Sequence, residues 1–186
     1  MLLISPAAAI DFTYIGGVGS SWFTTGNWSP AEFGPPTDLD TATIANGGLV
    51  LVDHNFGPGD RVDALTLAAG ELRTNGYEVI VDDAVNFSTA LTLVNGGGSL
   101  LRIDPNASGP SFDSLDTDDL TVANGGVVDM RSGSRLEVDS GLLTIGSGSS
   151  LKGRGAIDLE ASVGAATSLL VNDGALRAGG DLLLPA

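Results

Sequence analysis

The chain has 186 residues, 42% of them hydrophobic, with 23 acidic against 8 basic side chains and a formal net charge of −15. That length supports one domain with a sizeable core, and the apolar content lies outside the low-hydrophobicity, high-charge regime of disordered chains. The absence of Cys excludes disulfides, zinc–thiolate sites, iron–sulfur clusters and thiol nucleophiles, His54 is the only histidine, and the negative charge argues against nucleic acid and anionic membrane surfaces.

One Lys and five Glu stand against eighteen Asp and 27 Gly. Asp and Gly belong in turns, whereas Lys and Glu belong on helix surfaces. The composition predicts an all-β chain of short strands joined by tight turns. No run reaches the ~18 apolar residues of a membrane-spanning helix, so no membrane insertion is expected.

The start, residues 1–10, is apolar and ends in small residues, like the tail of a secretory signal without its positive n-region. Three readings compete: a true start further upstream, an ordered strand of the mature protein that donates itself to a neighbour, and an unusual signal. Residues 11–41 follow as an N-terminal cap, and 42–186 as repeats. Within the cap, Trp22, Phe23 and Trp28 are the densest aromatic cluster. They have two uses: stacking on sugar rings as a glycan site, or plugging the open end of the first coil.

From residue 42 the chain repeats. The triplets Ala42-Thr43-Ile44, Leu65-Thr66-Leu67, Leu91-Thr92-Leu93, Leu120-Thr121-Val122, Leu143-Thr144-Ile145 and Leu169-Leu170-Val171 recur at steps of 23, 26, 29, 23 and 26 residues. Three residues beyond each stands glycine: Gly47, Gly70, Gly96, Gly125, Gly148 and Gly174. A unit of strand, turn, strand and variable loop suits one coil of a parallel β-helix. The spacing predicts a single-stranded β-solenoid of about six coils, the glycine corners in single file and the outer triplet positions turned inward with Thr turned out. An antiparallel β-sandwich is the alternative, since it also gives short strands at regular intervals.

The stretch Tyr14-Ile-Gly-Gly, Ser21-Trp22, Gly26-Asn27-Trp28-Ser29-Pro30, Pro36, Asp38, Asp40, Ala42-Thr43-Ile44, with the Leu-Thr-Val-type coils after it, resembles the entry and repeats of secreted bacterial β-helix proteins. These include autotransporter passenger domains and repeat proteins bearing a C-terminal Pro-Glu-Pro sorting signal. The resemblance implies a β-helix with a cell-surface or extracellular life, and it implies no activity.

Asp113, Asp116, Asp118 and Asp119 sit in the longest insertion between triplets, beside Asp104, Asn106 and Ser108. Clustered carboxylates are hard oxygen ligands that suit Ca²⁺, although the spacing matches neither the EF-hand loop nor the Gly-rich nonapeptide calcium repeat and a solvated acidic loop is the plainer reading. The outward Thr column invites comparison with ice-binding solenoids, but the coils vary in length and Leu170 breaks it. Arg131, Arg135 and Arg154, with Asp129 and Glu137, are the nearest thing to the groove chemistry of a polysaccharide lyase or hydrolase. Asn27, Asn86 and Asn106 open formal glycosylation sequons. The expected function is a structural or adhesive surface protein, not an enzyme. Its partners are a further copy, through apolar ends at Leu2, Leu3, Ile4 and Leu182, Leu183, Leu184, or surface glycans through the aromatic or acidic sites.

Overall fold

The computed structural model describes residues 9–57, 59–82, 90–109, 112–159, 169–172 and 174–178. The chain is an all-β parallel β-solenoid of about five turns. Each lap crosses three faces. The first carries Asp11–Tyr14, Thr41–Ile44, Ala64–Leu67 and Leu91–Asn95, the later halves of Leu115–Ala123 and Arg135–Ile145, and Leu169–Asn172. The second carries Ser20–Ser21, Leu49–Leu51, Gly70–Arg73, Ser99–Ile103, Val127–Met130, Ser150–Gly153 and Ala175–Ala178. The third carries Val79–Val81, the opening halves of Leu115–Ala123 and Arg135–Ile145, and Ala156–Leu159. Between strands the pairing is parallel throughout, except that Trp28–Ser29 runs antiparallel to Asp11–Tyr14.

Strand alternation puts every second residue inside, and register stacks like on like. On the first face the buried column is Phe12, Ala42, Leu65, Thr92, Leu120 and Leu143, with Ile44, Leu67, Val94, Val122 and Ile145 two residues on. Val50, Leu72, Leu101, Val128 and Leu151 form the column of the second face. Val79, Leu115, Leu136 and Ile157 form that of the third. Each fully buried aliphatic rung contributes roughly 1.5–3 kcal/mol.

Three details depart from the sequence-based expectation. The turns number about five where about six were expected. The sixth triplet opens the strands Leu169–Asn172 and Ala175–Ala178, which pair onto the fifth lap. Second, the third lap stands one residue out of the expected phase. Leu65 pairs with Thr92, so Thr92 and Val94 are buried while Leu91 and Leu93 lie half-buried on the outside. The run Leu91-Thr-Leu-Val fits either alternation. Thr92 is accommodated because its hydroxyl meets that of Thr117 at 2.9 Å inside the core. The sixth triplet is shifted likewise, with Leu143 opposite Leu170.

Third, the six glycines share one corner but not one file. Leu49 pairs with Glu71, which sets Gly48 rather than Gly47 beside Gly70, and Gly70 pairs with Ser99, three residues after Gly96. The cause is corner length: three residues separate Leu67 from Glu71, and five separate Val94 from Leu100. The winding is fixed by the aliphatic columns, and the corner tolerates insertions. Gly70 shows why glycine is needed there at all. Its φ is +114°, and a Cβ would lie 2.5 Å from the Gly48 carbonyl oxygen of the lap beneath.

Candidate functional site

The N-terminal aromatics are the top rungs of the core columns. Phe12 pairs with Ala42, and the register of Ser20–Ser21 with Leu49–Leu51 sets Trp22 over Val52. Trp28 lies across them, edge-on to Trp22 with ring centres 4.6 Å apart and to Tyr14 at 5.3 Å. Its indole N–H donates to the Trp22 carbonyl at 2.6 Å. Trp22 and Trp28 are 0% exposed, so they offer no face to a sugar. Phe23 stacks on His54 and packs against Phe56. Trp22 and Trp28 therefore lie in the core, and of the three aromatics expected to stack on a sugar only Phe23 keeps partial exposure. Trp28–Ser29 also occupies the outer edge of Asp11–Tyr14. That covers Thr13 and Tyr14 at the outer edge of this strand and leaves Asp11 and Phe12 outside the pairing. Leu2, Leu3, Ile4, Leu182, Leu183 and Leu184 lie outside the described residues.

Of the four aspartates expected to hold Ca²⁺, Asp113 and Asp116 lie near each other on the third face, while Asp118 and Asp119 have other surroundings. Asp113 forms an ion pair with Arg135 at 2.9 Å. Asp118 accepts the Ala90 N–H at 2.7 Å. Asp119 sits on the first face, opposite Leu91 and Leu142. Among the described residues no three His, Asp or Glu side chains are placed to hold a metal. The Asp118 contact is one of a kind. Asp40, the corner residue of the first full lap, accepts the Ile10 N–H at 3.0 Å and the Thr37 N–H at 2.9 Å, and the Thr37 hydroxyl at 3.1 Å. Ala90 and Ile10 hold the corresponding corner positions of the laps beneath. A corner aspartate thus satisfies a backbone donor that the sheet ladder leaves behind, which gives a structural reason for so much Asp. Asp40→Ala leaves three donors without a partner and is expected to cost about 2–3 kcal/mol in urea unfolding. A loss below ~0.5 kcal/mol would contradict this role.

The third face is acidic. Its outward column runs Ile80, Asp116, Glu137, Asp158, with Asp82, Asp113 and Asp139 beside it. Burial, followed by the charges of Asp139 and Asp113, pushes Asp116 up to about 7, and its Oδ1 is buried without a hydrogen bond. A hydrogen bond with the Asp113 carboxyl, then burial and the same neighbouring charges, pushes Glu137 up to about 8. Arg135 ties three laps together, reaching Asp113 at 2.9 Å and Asp158 at 2.8 Å. Arg61 pairs with Asp82.

The second face holds most of the positive charge. Its central outward column reads Leu51, Arg73, Arg102, Asp129, Lys152, Arg177, and Arg131 and Arg154 stand two residues beyond Asp129 and Lys152. Glu71 holds Arg73 at 2.6 Å and Arg102 at 3.5 Å, while Asp129 holds Arg102 and Arg131 at 3.6 Å each. Asp129 and Glu137 therefore face different ways and do not converge as a carboxylate pair. Arg131 and Arg154 come together, and Arg135 stands apart on the third face. The Thr column of the first face is Thr13, Thr43, Thr66, Thr121 and Thr144, broken by Leu93. The Asn27 amide donates to the Ser21 carbonyl at 2.8 Å, and the buried Asn106 amide to the Asp113 carbonyl at 2.7 Å.

Both charged columns were missed in the sequence because the repeat was aligned on the first face alone. The signal for the third was present as Val79-Ile-Val-Asp82, Leu115-Asp-Thr-Asp118, Leu136-Glu-Val-Asp139 and Ile157-Asp-Leu-Glu160. No family model matches the chain, and no curated protein or solved structure matches it. The class that the fold defines is a parallel β-solenoid. Among the described residues no helix is long and apolar enough to cross a membrane.

Proposed function

We propose that the chain is an extracellular structural or adhesive rod of a cell surface or matrix. The observation that carries this reading is that its outward charges bind lap to lap. Arg135 joins three laps, Arg102 links Glu71 to Asp129, and corner aspartates hold the backbone beneath them. Side chains used in this way stiffen a solenoid, in which each lap otherwise touches only its neighbours. Resemblance of the Tyr14–Ile44 stretch to secreted β-helix proteins supports the location, and the charge of −15 keeps exposed rods apart. Trp28–Ser29 covers Thr13 and Tyr14 at the outer edge, so head-to-tail stacking would run through the residues beside that pairing. Antibody labelling of intact producing cells tests the location. Surface label on intact cells is expected, and label seen only after lysis would overturn the reading.

A further inference from the structure

We propose that the outer second face at Lys152, Arg154 and Arg177 binds an acidic polysaccharide, a glycan chain carrying carboxylate or sulfate groups. Six of the eight basic residues collect on this face of a chain with a net charge of −15. Glu71 and Asp129 hold Arg73, Arg102 and Arg131. Lys152, Arg154 and Arg177 are exposed, and among the described residues their side chains make no ion pair or hydrogen bond. Lys152 pairs in register with Arg177, so their cations repeat at the strand spacing of about 4.8 Å. Arg154 follows just beyond the end of the Ser150–Gly153 strand and is exposed beside it.

A shallow groove of about 450 Å³ runs past Ser149, Ser150, Lys152 and Arg177, its floor kept low by Gly148 and Gly174. Ser150 points outward with Lys152 on the same strand and adds a hydroxyl donor. Anions on an extended chain meet one cation per lap. Within a screening length of about 8 Å this patch is felt at contact, while the acids of the other faces are damped. A duplex carrying one charge per about 1.7 Å is repelled by the overall charge, and among the described residues no aromatic ring stacks on the three cations. A glycan charged once per sugar or less avoids that repulsion and brings hydroxyls for Ser150. The glycan assignment rests on the surface-rod reading, but its failure would leave the cell-labelling result standing.

The test is titration of the native full chain with polygalacturonate, dextran sulfate and neutral dextran at low and physiological ionic strength. Binding to one or both acidic polymers and none to dextran is expected, and which one binds separates carboxylate from sulfate recognition. K152A/R177A is expected to lose about tenfold or more in affinity, and R154A several-fold. K152R/R177K keeps the charge and stays within about twofold of the native chain. I15E/F33E lowers the net charge as much as K152A/R177A does, at exposed cap residues, and is also expected to stay within about twofold. Three results would overturn the proposal: no binding of either acidic polymer, equal binding of dextran, or equal losses in K152A/R177A and I15E/F33E. It also fails if K152A/R177A changes the sedimentation of the free chain and not its glycan binding, since the face then joins copies of the chain. Should the alanine pair not fold, R154A decides on its own.

Discussion

Trp28→Ala is expected to destabilise the chain by about 3–5 kcal/mol, the largest single loss at the N-terminal end. Trp28 is 0% exposed and lies against Phe12, Tyr14 and Trp22, so truncation removes a large apolar surface and the edge contacts that fix three other rings. It also takes away the donor to the Trp22 carbonyl. The cavity opens over the Phe12–Ala42 and Trp22–Val52 rungs. A solenoid transmits such damage to its nearest lap first. Hydrogen exchange is therefore expected to quicken in Thr41–Ile44 and Leu49–Leu51 before it does in Ser99–Ile103. Urea unfolding gives the total. A loss under about 1 kcal/mol would mean that these rings do not cap the core.

Melting temperature is expected to fall as pH rises from 5 to 8.5. Asp116 and Glu137 are held up to about 7 and about 8 in the folded chain, whereas carboxyls in an unfolded chain titrate near 4. The folded state therefore binds their protons more tightly. Their stabilising contribution is complete below the unfolded value and is lost as pH climbs through the folded ones. Both groups are partly exposed, so after solvent screening the pair is worth on the order of 2 kcal/mol. For a chain of this size that is about 5 °C. D116N/E137Q carries no charge at either position at any pH, and it is expected to remove most of the fall while raising the melting temperature at pH 8.5. A flat profile for the native chain, or an equal fall in the variant, would show that these carboxyls are not crowded.

The winding was legible in the sequence because aliphatic residues recur at positions the fold buries. Leu65, Leu120 and Leu143 stand in the expected column. What was not legible follows from the two-residue period of a strand. A one-residue slip in Leu91-Thr-Leu-Val exchanges inside for outside with no penalty visible in the sequence, and the phase taken shows only in the register between laps and in the Thr92–Thr117 hydroxyl contact. The glycine column misled for a related reason, since turns of three and five residues both close the same corner. Trp22 and Trp28 carried two readings because an indole serves a sugar and a core equally well, and burial decides between them. Asp118 looked like a metal ligand for want of its partner: the Ala90 N–H it accepts lies 28 residues back in the chain and is brought near only by one full lap. The charged columns of the second and third faces depend on register between laps, which no single segment contains.

Distances measured between spin labels along one outward column test the winding most directly. The chain has no cysteine, so labels placed at Thr144 and in turn at Thr66, Thr43 and Thr13 are unique. These positions share one register column at increasing lap number. Pulsed dipolar spectroscopy is expected to give separations near 14, 19 and 24 Å, rising by about 4.8 Å per lap, with the label's own length broadening each. Separations that do not rise in that order, with Thr13 no farther from Thr144 than Thr66 is, would contradict a chain wound lap upon lap.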